Sequence, residues 1–508
     1  METTPLDETK VTPFEDALTK TGNGLYNILL VAANSLILLA IIMDLFGFTL
    51  IVNVACDLRL TIAQKAILSS FPFISIIVVS FAWGYISDTK GRKFTLVVSL
   101  PTAFVLSCLC SLSPNWIVLG VLKFLSVCFS CAANSVTYTL VGESCIQRLR
   151  SKYMLLMSCL LLLGPAAGAV VAYLTTLLSF SLPIPALGIN FTPWRLLIII
   201  MSIPIGLGGV FIHFFHESPK FLANWDRNDE ALKVLESIYR INHKGSLDEF
   251  QIKQIRLEDV QKKNKMSLTR AIYEQSAPLF RRPLLGQTLQ LFYIVAIVYI
   301  TNNTCVVWLP HILDLIKVAL ENEVSSGNVC AMITTHSTSA VNATVEHSAE
   351  APVICLGHVE EKTALTIIIT QGIYSFLNFI ISCLPKHRKT ILISMLCLSS
   401  VSGVAMNLTP EPISSVVLYL IFGCTCLCMG IMASLFVDLY PTSYRGMASC
   451  LSILVGRTST FVGINVAGNL IFNHCYVTFY LWSVLVFTSV IAAWYLPPDK
   501  TKIIPTNV

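Results

Sequence analysis

Long apolar blocks alternate with short polar segments along almost the whole chain. Each block holds about 20 residues, the length that an α-helix needs to cross a hydrocarbon layer roughly 30 Å thick. Twelve blocks can be drawn, at residues 28–54, 66–86, 94–113, 115–139, 154–178, 196–215, 287–310, 363–384, 390–408, 413–437, 447–472 and 476–496. Only Ser113, Pro114 and Asn115 separate the third block from the fourth. The pattern therefore predicts twelve membrane-spanning helices.

The composition agrees with a membrane protein. Of the 508 residues, 55% are hydrophobic and 12% are charged, whereas about 25% of residues are charged in an average soluble domain. The polar N-terminal segment lacks the basic start and the small-residue cleavage site of a secretory signal. We therefore expect an all-α membrane protein with twelve transmembrane helices in two six-helix halves. The expected parts are an N-terminal tail at 1–24, the first half at 25–215, a central loop with short helices at 216–283, the second half at 284–496 and a C-terminal tail at 497–508.

The distribution of basic residues predicts which side of the membrane each loop faces. Segment 216–283 holds thirteen of the 34 Lys and Arg residues, whereas segment 311–362 holds only Lys317 and Lys362. Because cytoplasmic loops are enriched in Lys and Arg, the first segment is expected in the cytoplasm and the second outside or in a lumen. With twelve spans, both termini are then cytoplasmic. We interpret the basic stretch 250–265 as a face attracted to anionic lipid headgroups rather than as a nucleic-acid patch.

Two features of the predicted outer loops concern covalent modification. Asn190 and Asn342 each begin an Asn-x-Ser/Thr sequence and are candidate glycosylation sites, although such sequences also occur by chance. Cys330 and Cys355 lie in the long outer loop, where they either pair with each other or stay unpaired. Most of the 17 cysteines lie inside apolar blocks, and there we interpret them as small buried hydrophobic residues rather than as metal ligands.

The two halves repeat one motif at the cytoplasmic ends of spans 4 and 10. The stretches VGESCIQRLRSKYM and VDLYPTSYRGMASC each carry an acid, Glu143 or Asp438, and then a base, Arg150 or Arg445. Internal repeats of this kind are typical of secondary transporters. In the central loop, NDEALKVLESIYRI at 228–241 has apolar residues at helical spacing and acids in its first turn, which predicts a helix packed under the bundle.

Several motifs resemble those of the major facilitator superfamily. GYISDTKGRK at 84–93 is similar to its signature between spans 2 and 3, and HESPKFL at 216–222 looks like the motif after span 6 in the sugar-porter and organic-ion branches. The second motif contributes the candidate residues Glu217, Ser218 and Pro219. Within the superfamily the chain most resembles synaptic vesicle glycoprotein 2 and its relatives, through PWRLLIIIMSIP, VVWLPHIL and the stretch 438–472. The similarity runs over nearly the whole chain.

The resemblance implies a gate at the cytoplasmic ends of the halves. It implies that Asp88 bonds across the seam between the halves when that side is closed, near the start of span 11 and the turn from Glu143 to Arg150. The candidate members of the gate are Gly84, Asp88, Gly91, Arg92, Glu143, Arg150, Asp438 and Arg445. The equivalent loop of the second half, CLPKHRKT, lacks an acid, so the latch is expected to be one-sided.

Charged side chains inside a span cost about 2.5 to 3.5 kcal/mol, so each needs a partner or a function. Asp44 and Lys123 either form a fixed structural pair or contact a substrate, in which case the carboxylate provides a route to proton coupling. Arg457 has either a partner within the bundle or an anionic ligand, since related organic-anion carriers place an arginine here. Family members tend to carry two acids in span 1 and an arginine in span 4, so the ligand of these relatives is not carried over to this chain.

The aromatic residues Tyr138, Tyr299 and Trp308 either line a cavity or anchor the bundle at the membrane interface.

These observations favour a secondary transporter that moves a small organic solute, charged rather than neutral, by alternating access, with proton coupling left open. The alternative is a vesicle-membrane glycoprotein that regulates trafficking and transports little or nothing, and a channel is a third reading. The sequence shows no phosphate-binding loop, no serine-histidine-acid spacing and no metal-ligand cluster, so neither an enzyme nor a cofactor or metal is expected. The expected partners are the lipid bilayer and a small-molecule substrate, with no nucleic acid, and the protein is expected to be monomeric. Both the plasma membrane and a secretory or synaptic vesicle membrane stay open.

Overall fold

A computed structural model describes residues 12–243, 250, 252, 254–256, 276–321, 328–333, 355, 357–382, 388–440 and 442–497. Within these residues, twelve helical stretches are long and apolar enough to cross a membrane, which confirms the predicted number. We number them spans 1 to 12: Leu25–Val54, Ile62–Lys90, Arg92–Cys110, Trp116–Ser144, Gln147–Thr176, Pro193–His213, Leu285–Asp314, Glu361–Ile381, Arg388–Leu408, Pro412–Ala433, Met447–Ile471 and Asn473–Trp494.

Several spans are interrupted or extend beyond these bounds. Span 4 consists of helices Trp116–Ser130 and Ala132–Ser144, span 5 of Gln147–Leu162 and Gly164–Thr176, and span 10 belongs to Pro412–Phe422 and Cys426–Leu439. The helices of spans 7 and 8 are Leu285–Glu321 and Glu361–Ser382, and spans 11 and 12 form Thr442–Trp494 with a break at His474. Further helices of the described residues are Phe14–Lys20, Pro219–Asn224 and Asn228–Asn242, with short 3-10 turns at Cys56–Leu58, Pro185–Leu187, Ala277–Phe280 and Gly423–Thr425. Strands in the described part of the chain are β1 (Thr12–Pro13), β2 (Leu182–Ile184), β3 (Ile189–Phe191) and β4 (Ile255–Arg256).

Residues with capping chemistry set the starts of several spans. Thr61 and Gln64 form a capping box at span 2, with nitrogen to oxygen distances of 3.2 and 3.0 Å. The Asn115 side chain accepts the Val118 N–H at 2.9 Å and starts span 4. This cap explains why the weak boundary between the third and fourth apolar blocks is nonetheless a helix break.

The connections between the spans lie on two faces of the bundle. The terminal face carries the segment 12–20, the central segment 216–243 and the connections between spans 2 and 3, 4 and 5, and 10 and 11. The disulfide face carries the connections between spans 1 and 2, 5 and 6, 7 and 8, and 11 and 12, together with the β2–β3 hairpin. Asn190 is exposed on that hairpin, whereas Asn342 lies outside the described residues.

The disulfides differ from the pairing considered for the long loop. Cys330 and Cys355 are both oxidised, but Cys330 is bonded to Cys475 and Cys355 to Cys56. Cys56 follows span 1 and Cys475 lies at the start of span 12, so the alternation of spans brings both to the disulfide face. Both alternatives for Cys330 and Cys355, a bridge to each other or no bridge, are therefore wrong, because they took into account only the cysteines of one loop.

The N-terminal segment and the central segment share a small apolar core on the terminal face. Phe14 and Leu18 of the first helix pack with Phe221 and Leu235, and all four side chains are at most 3% exposed. Strand β1 pairs in parallel with β4, which joins residue 12 to the chain near residue 255. The predicted helix at 228–241 is present as Asn228–Asn242 and buries its apolar face in this core.

The six-span halves meet along two seams. At one seam, Ser375 on span 8 donates to the Cys159 carbonyl on span 5 at 2.9 Å. At the other, a Cβ added to Gly468 on span 11 would lie only 2.8 Å from Ala66 Cβ on span 2. Spans 2 and 11 lie so close together here that only glycine fits at position 468. This contact lies toward the disulfide face.

Candidate functional site

Asp44 and Lys123 form a buried ion pair within the first half. Lys123 Nζ on span 4 lies 2.6 Å from Asp44 Oδ1 on span 1, and the two side chains are 2% and 3% exposed. The ammonium also lies 4.9 Å from the centre of the Phe48 ring. Because both spans belong to the same half, the pair need not break when the halves move relative to each other. The geometry therefore fits the fixed-pair interpretation.

Arg457 is a buried cation of span 11 in a different situation. The residue is 8% exposed, and its guanidinium lies 5.8 Å from the centres of both the Phe73 and the Tyr299 rings. Its Nε has no hydrogen-bond partner, and no carboxylate of the described residues forms an ion pair with it. Two buried cation–π contacts of about 2 kcal/mol each can offset the cost of roughly 2.5 to 3.5 kcal/mol for a cation in a span. They do not replace a hydrogen-bond acceptor, so the Nε–H donor stays unsatisfied in this conformation.

Asp44 and Arg457 line the same cavity between the halves. The other lining residues are Ile41, Ile42, Leu45, Ile76, Val127, Ser130, Cys131 and Asn134. The cavity volume of about 10 Å³ is roughly that of one water molecule, so this cavity is closed to an organic solute in the conformation described here. Since Lys123 neutralises Asp44, the guanidinium of Arg457 leaves the cavity with one net positive charge.

The predicted aromatic residues divide into two groups. The centre of the Tyr299 ring lies 5.8 Å from the Arg457 guanidinium, and a Cβ on Gly456 would lie 2.6 Å from that ring. Tyr138 instead bonds Ser158 at 3.2 Å, and Trp308 donates to the Ile464 carbonyl at 3.2 Å. Tyr299 therefore belongs to the cavity region, whereas Tyr138 and Trp308 hold neighbouring spans together.

A second cluster surrounds Arg92 on the terminal face. The guanidinium contacts Glu143 at 2.9 and 3.0 Å and Asp88 at 3.1 Å, and it donates to the Ser87 carbonyl at 3.0 Å. Ser218 in turn donates to Glu143 at 2.5 Å. These contacts join spans 2, 3 and 4 to the start of the Pro219–Asn224 helix.

Glu217 caps span 3 from outside the span. Its carboxylate accepts the backbone N–H groups of Arg92 at 2.9 Å and Lys93 at 3.0 Å, where the positive end of the helix dipole favours an anion. A Cβ on Gly91 would lie 2.2 Å from the Glu217 carboxylate, and Gly91 has a φ of +113°. The glycine of the loop signature is therefore required by a close approach, whereas Gly84 faces open space.

The predicted bond of Asp88 across the seam between the halves is not seen among the described side chains. The Asp88 side chain is 59% exposed and pairs with Arg92 of the same loop. Arg150 lies beside Glu15 of the N-terminal helix at 3.4 Å, and Glu15 also contacts Lys220 at 3.4 Å. The side chains of Asp438 and Arg445 lie outside the described residues. The described contacts of this cluster thus connect the first half with the N-terminal and central segments.

Two buried cations were missed because they lie at the ends of spans. Arg195, the third residue of span 6, is 1% exposed and donates to the carbonyls of Ser111 and Ser113, each at 2.8 Å, and to Asp57 at 3.2 Å. Lys65 near the start of span 2 is 5% exposed. Each directly precedes an apolar block, at 66–86 and 196–215, and only the arrangement of the neighbouring connections shows that they are covered.

Twelve spans in two groups of six, with ionisable side chains at a cavity between the groups, define a polytopic α-helical membrane protein. The chain belongs to the major facilitator superfamily, because the model of that family matches residues 32–345, more than half of the chain. The loop signature at 84–93 lies within this match.

Curated relatives agree with this assignment. The organic cation/carnitine transporter 7 of Arabidopsis thaliana is 27% identical over 45% of this chain and 43% of that protein. The synaptic vesicle 2-related protein of Bos taurus is 27% identical over 46% of this chain and 40% of that protein. The putative transporter svop-1 of Caenorhabditis elegans is 24% identical over 46% of this chain and 43% of that protein. The matches thus span less than half the length of these relatives.

Solved structures show the same fold. The xylose transporter XylE from E. coli, in a partially occluded inward open conformation, superposes with a TM-score of 0.63 at 11% identity, covering 94% of this chain and 100% of that one. Its inward open conformation gives a TM-score of 0.63 at 14% identity, covering 94% and 97%. At this identity the likeness concerns the fold alone.

Proposed function

We propose that the protein is a secondary transporter that carries a small organic anion across a membrane by alternating access between its two halves. Membership of the major facilitator superfamily and the transporter names of its relatives support a secondary transporter of small organic solutes. The charge of the cavity supports the choice of an anion.

The proposal that the substrate is an anion rests on Arg457. The side chain is contributed by the second half, lines the cavity between the halves, and has no carboxylate partner among the described residues. A carboxylate ligand would complete its hydrogen bonding, and Arg–carboxylate contacts are charge-assisted and often bidentate. Two opposite charges about 4 Å apart attract each other by roughly 4 kcal/mol at an effective dielectric constant of about 20. That attraction favours an anion over a neutral analogue of the same shape.

The orientation and the coupling ion complete the proposal. We place the terminal face in the cytoplasm because the connections on it carry most of the loop lysines and arginines. Asn190 and the two disulfides then face the exterior or a lumen, where disulfides persist. Proton coupling stays a prediction, and uptake under an imposed pH gradient tests it.

A ligand screen by thermal stabilisation tests the anion assignment. The panel contains mono- and dicarboxylates, carnitine, organic cations and neutral sugars, applied to purified protein in detergent. A ligand at 100 times its Kd stabilises the folded state by about 2.7 kcal/mol, so an anion is expected to raise the melting temperature of the wild type. Arg457→Gln should abolish this shift, whereas Arg148→Gln, which removes an exposed cation of the terminal face, should retain it. Stabilisation by cations alone, or stabilisation that survives Arg457→Gln, would overturn the assignment.

A trafficking role without transport is the second candidate. The small cavity favours this role, together with the similarity to the synaptic vesicle 2-related protein. In that case no solute of the panel moves across the membrane, and a cytosolic protein binds the terminal face instead.

A further inference from the structure

We propose that the Cys56–Cys355 disulfide holds the disulfide face closed, and that its reduction releases this face for opening. The inference rests on the proposed alternating access, because it concerns which of two faces opens. It follows from where the bond lies, what surrounds it and how exposed it is.

The bond links the two halves. Cys56 lies two residues after span 1, and Cys355 lies six residues before span 8, with Cα atoms 5.6 Å apart. The second disulfide, Cys330–Cys475, joins two parts of the second half. Only the first of these two bonds therefore has to be accommodated when the halves separate.

The chain next to Cys355 is attached to the first half by further contacts. The Val359 N–H donates to Thr176 Oγ1 at the end of span 5 at 3.0 Å, and Val359 is 5% exposed. Gly357 adopts a φ of +71°, and a Cβ added to it would lie 3.7 Å from Cys56 Sγ. The segment thus runs from span 8 of the second half onto the ends of spans 1 and 5 of the first half.

The disulfide stabilises the contacts between the segment at 355–361 and the first half. Five residues lie between Cys355 and Glu361, and a fully extended chain over these six Cα-to-Cα steps reaches about 20 Å at most. While the bond is intact, opening requires Val359 to leave its contact with Thr176. The disulfide then keeps Val359 close to Thr176, so the contact re-forms at a high effective concentration. Reduction removes the tether and leaves only the non-covalent contacts.

The two disulfides also differ in accessibility, which makes the effect selective. Cys56 and Cys355 are partly exposed, whereas Cys330 and Cys475 are 0% and 1% exposed. A small dithiol reductant therefore reaches the first bond more readily. One thiolate of the reagent attacks a sulfur of the bond and releases the other cysteine as a thiolate. The second thiol of the reagent then closes the reagent's own disulfide and releases the first cysteine. Two electrons pass to the protein, and the two protons of the dithiol end on Cys56 and Cys355.

Single-molecule energy transfer across the disulfide face tests the proposal. Dyes are attached through introduced keto amino acids at Leu187 of the first half and Glu411 of the second, which leaves the native cysteines untouched. Both residues are exposed. The full-length protein is held in lipid nanodiscs, first oxidised and then treated with dithiothreitol. We expect reduction to raise the share of molecules with a long inter-dye distance about fivefold or more, the lower end of typical coupling factors.

Two matched variants separate this effect from general loosening. Cys56→Ser/Cys355→Ser should show the long-distance population without reductant, and Cys330→Ser/Cys475→Ser should behave like the oxidised wild type. Identical distance distributions for oxidised wild type, reduced wild type and Cys56→Ser/Cys355→Ser would overturn the proposal. Because the readout needs no solute, a protein that opens on reduction but moves no solute refutes the proposed transport and not this inference.

Discussion

Replacing Asp44 by asparagine tests whether the buried ion pair is structural. The substitution leaves the Lys123 ammonium, 2% exposed, without its counter-charge. Removing one partner of a buried pair costs about 3–5 kcal/mol, because the remaining charge stays desolvated. We therefore expect Asp44→Asn to lower the melting temperature of the detergent-solubilised protein markedly, measured as the fraction that stays monodisperse after heating.

Two companion variants make the magnitude interpretable. Asp57→Asn removes a carboxylate that is 36% exposed and pairs with Arg195. Arg195 keeps its bonds to two backbone carbonyls, so this loss should cost only about 0–1 kcal/mol. Asp44→Asn/Lys123→Met removes both buried charges and should recover most of the stability lost in the single variant, since replacing a whole pair by apolar groups is often neutral. The reasoning fails if Asp44→Asn melts like Asp57→Asn, or if the double variant is no more stable than Asp44→Asn.

Three further predictions concern the faces of the bundle. Glu143→Gln should lower the melting temperature more than Asp88→Asn, because both acids pair with Arg92 but Glu143 is 16% exposed and Asp88 59%; equal shifts would contradict this. Burial lowers the pKa of His216 below its ordinary value of 6.5, so its contribution to stability is present above about pH 6.5 and falls as the pH drops through that value, when the unfolded chain takes up the proton. Between about pH 7.5 and 5.5, the melting temperature of His216→Asn should therefore fall less steeply than that of the wild type. Parallel curves for the two proteins would show that His216 does not cause the decline. Asn190→Gln should remove a glycosidase-sensitive shift in the electrophoretic mobility of protein expressed in eukaryotic cells, and an unchanged mobility would contradict glycosylation of Asn190.

The spans could be predicted from the sequence because hydrophobic length depends on local composition. Asp44, Lys123 and Arg457 could also be singled out, since a charge inside an apolar block is conspicuous at any position. The pairing of Asp44 with Lys123 could be named only as one of two alternatives, and the ring contacts of Arg457 could not be predicted, because they depend on how spans 1, 2, 4, 7 and 11 rotate and cross. The same limit explains the incorrect cysteine pairing: Cys56 and Cys475 belong to connections far apart in the chain, and only the packed bundle brings them to the cysteines of the long loop.

The contacts of the terminal face were only partly foreseen for a related reason. The resemblance implies that Asp88 bonds across the seam when the cytoplasmic side is closed, whereas in this conformation Asp88 pairs with Arg92, and Glu217 of the central segment caps span 3. A sequence motif indicates which residues are important, whereas the residues that they contact in a given conformation depend on the surrounding segments.

Uptake into proteoliposomes tests the central claim most directly. Purified protein is reconstituted, and the flux of each radiolabelled solute of the panel is compared for the wild type, Arg457→Gln and Arg148→Gln. A charge-assisted hydrogen bond contributes about 1.5–3 kcal/mol, and about 1.4 kcal/mol corresponds to a factor of ten. The account predicts saturable uptake of an organic anion that falls about tenfold or more in Arg457→Gln and is unchanged in Arg148→Gln. Absence of flux for every anion of the panel, or anion flux that Arg457→Gln leaves intact, would contradict it.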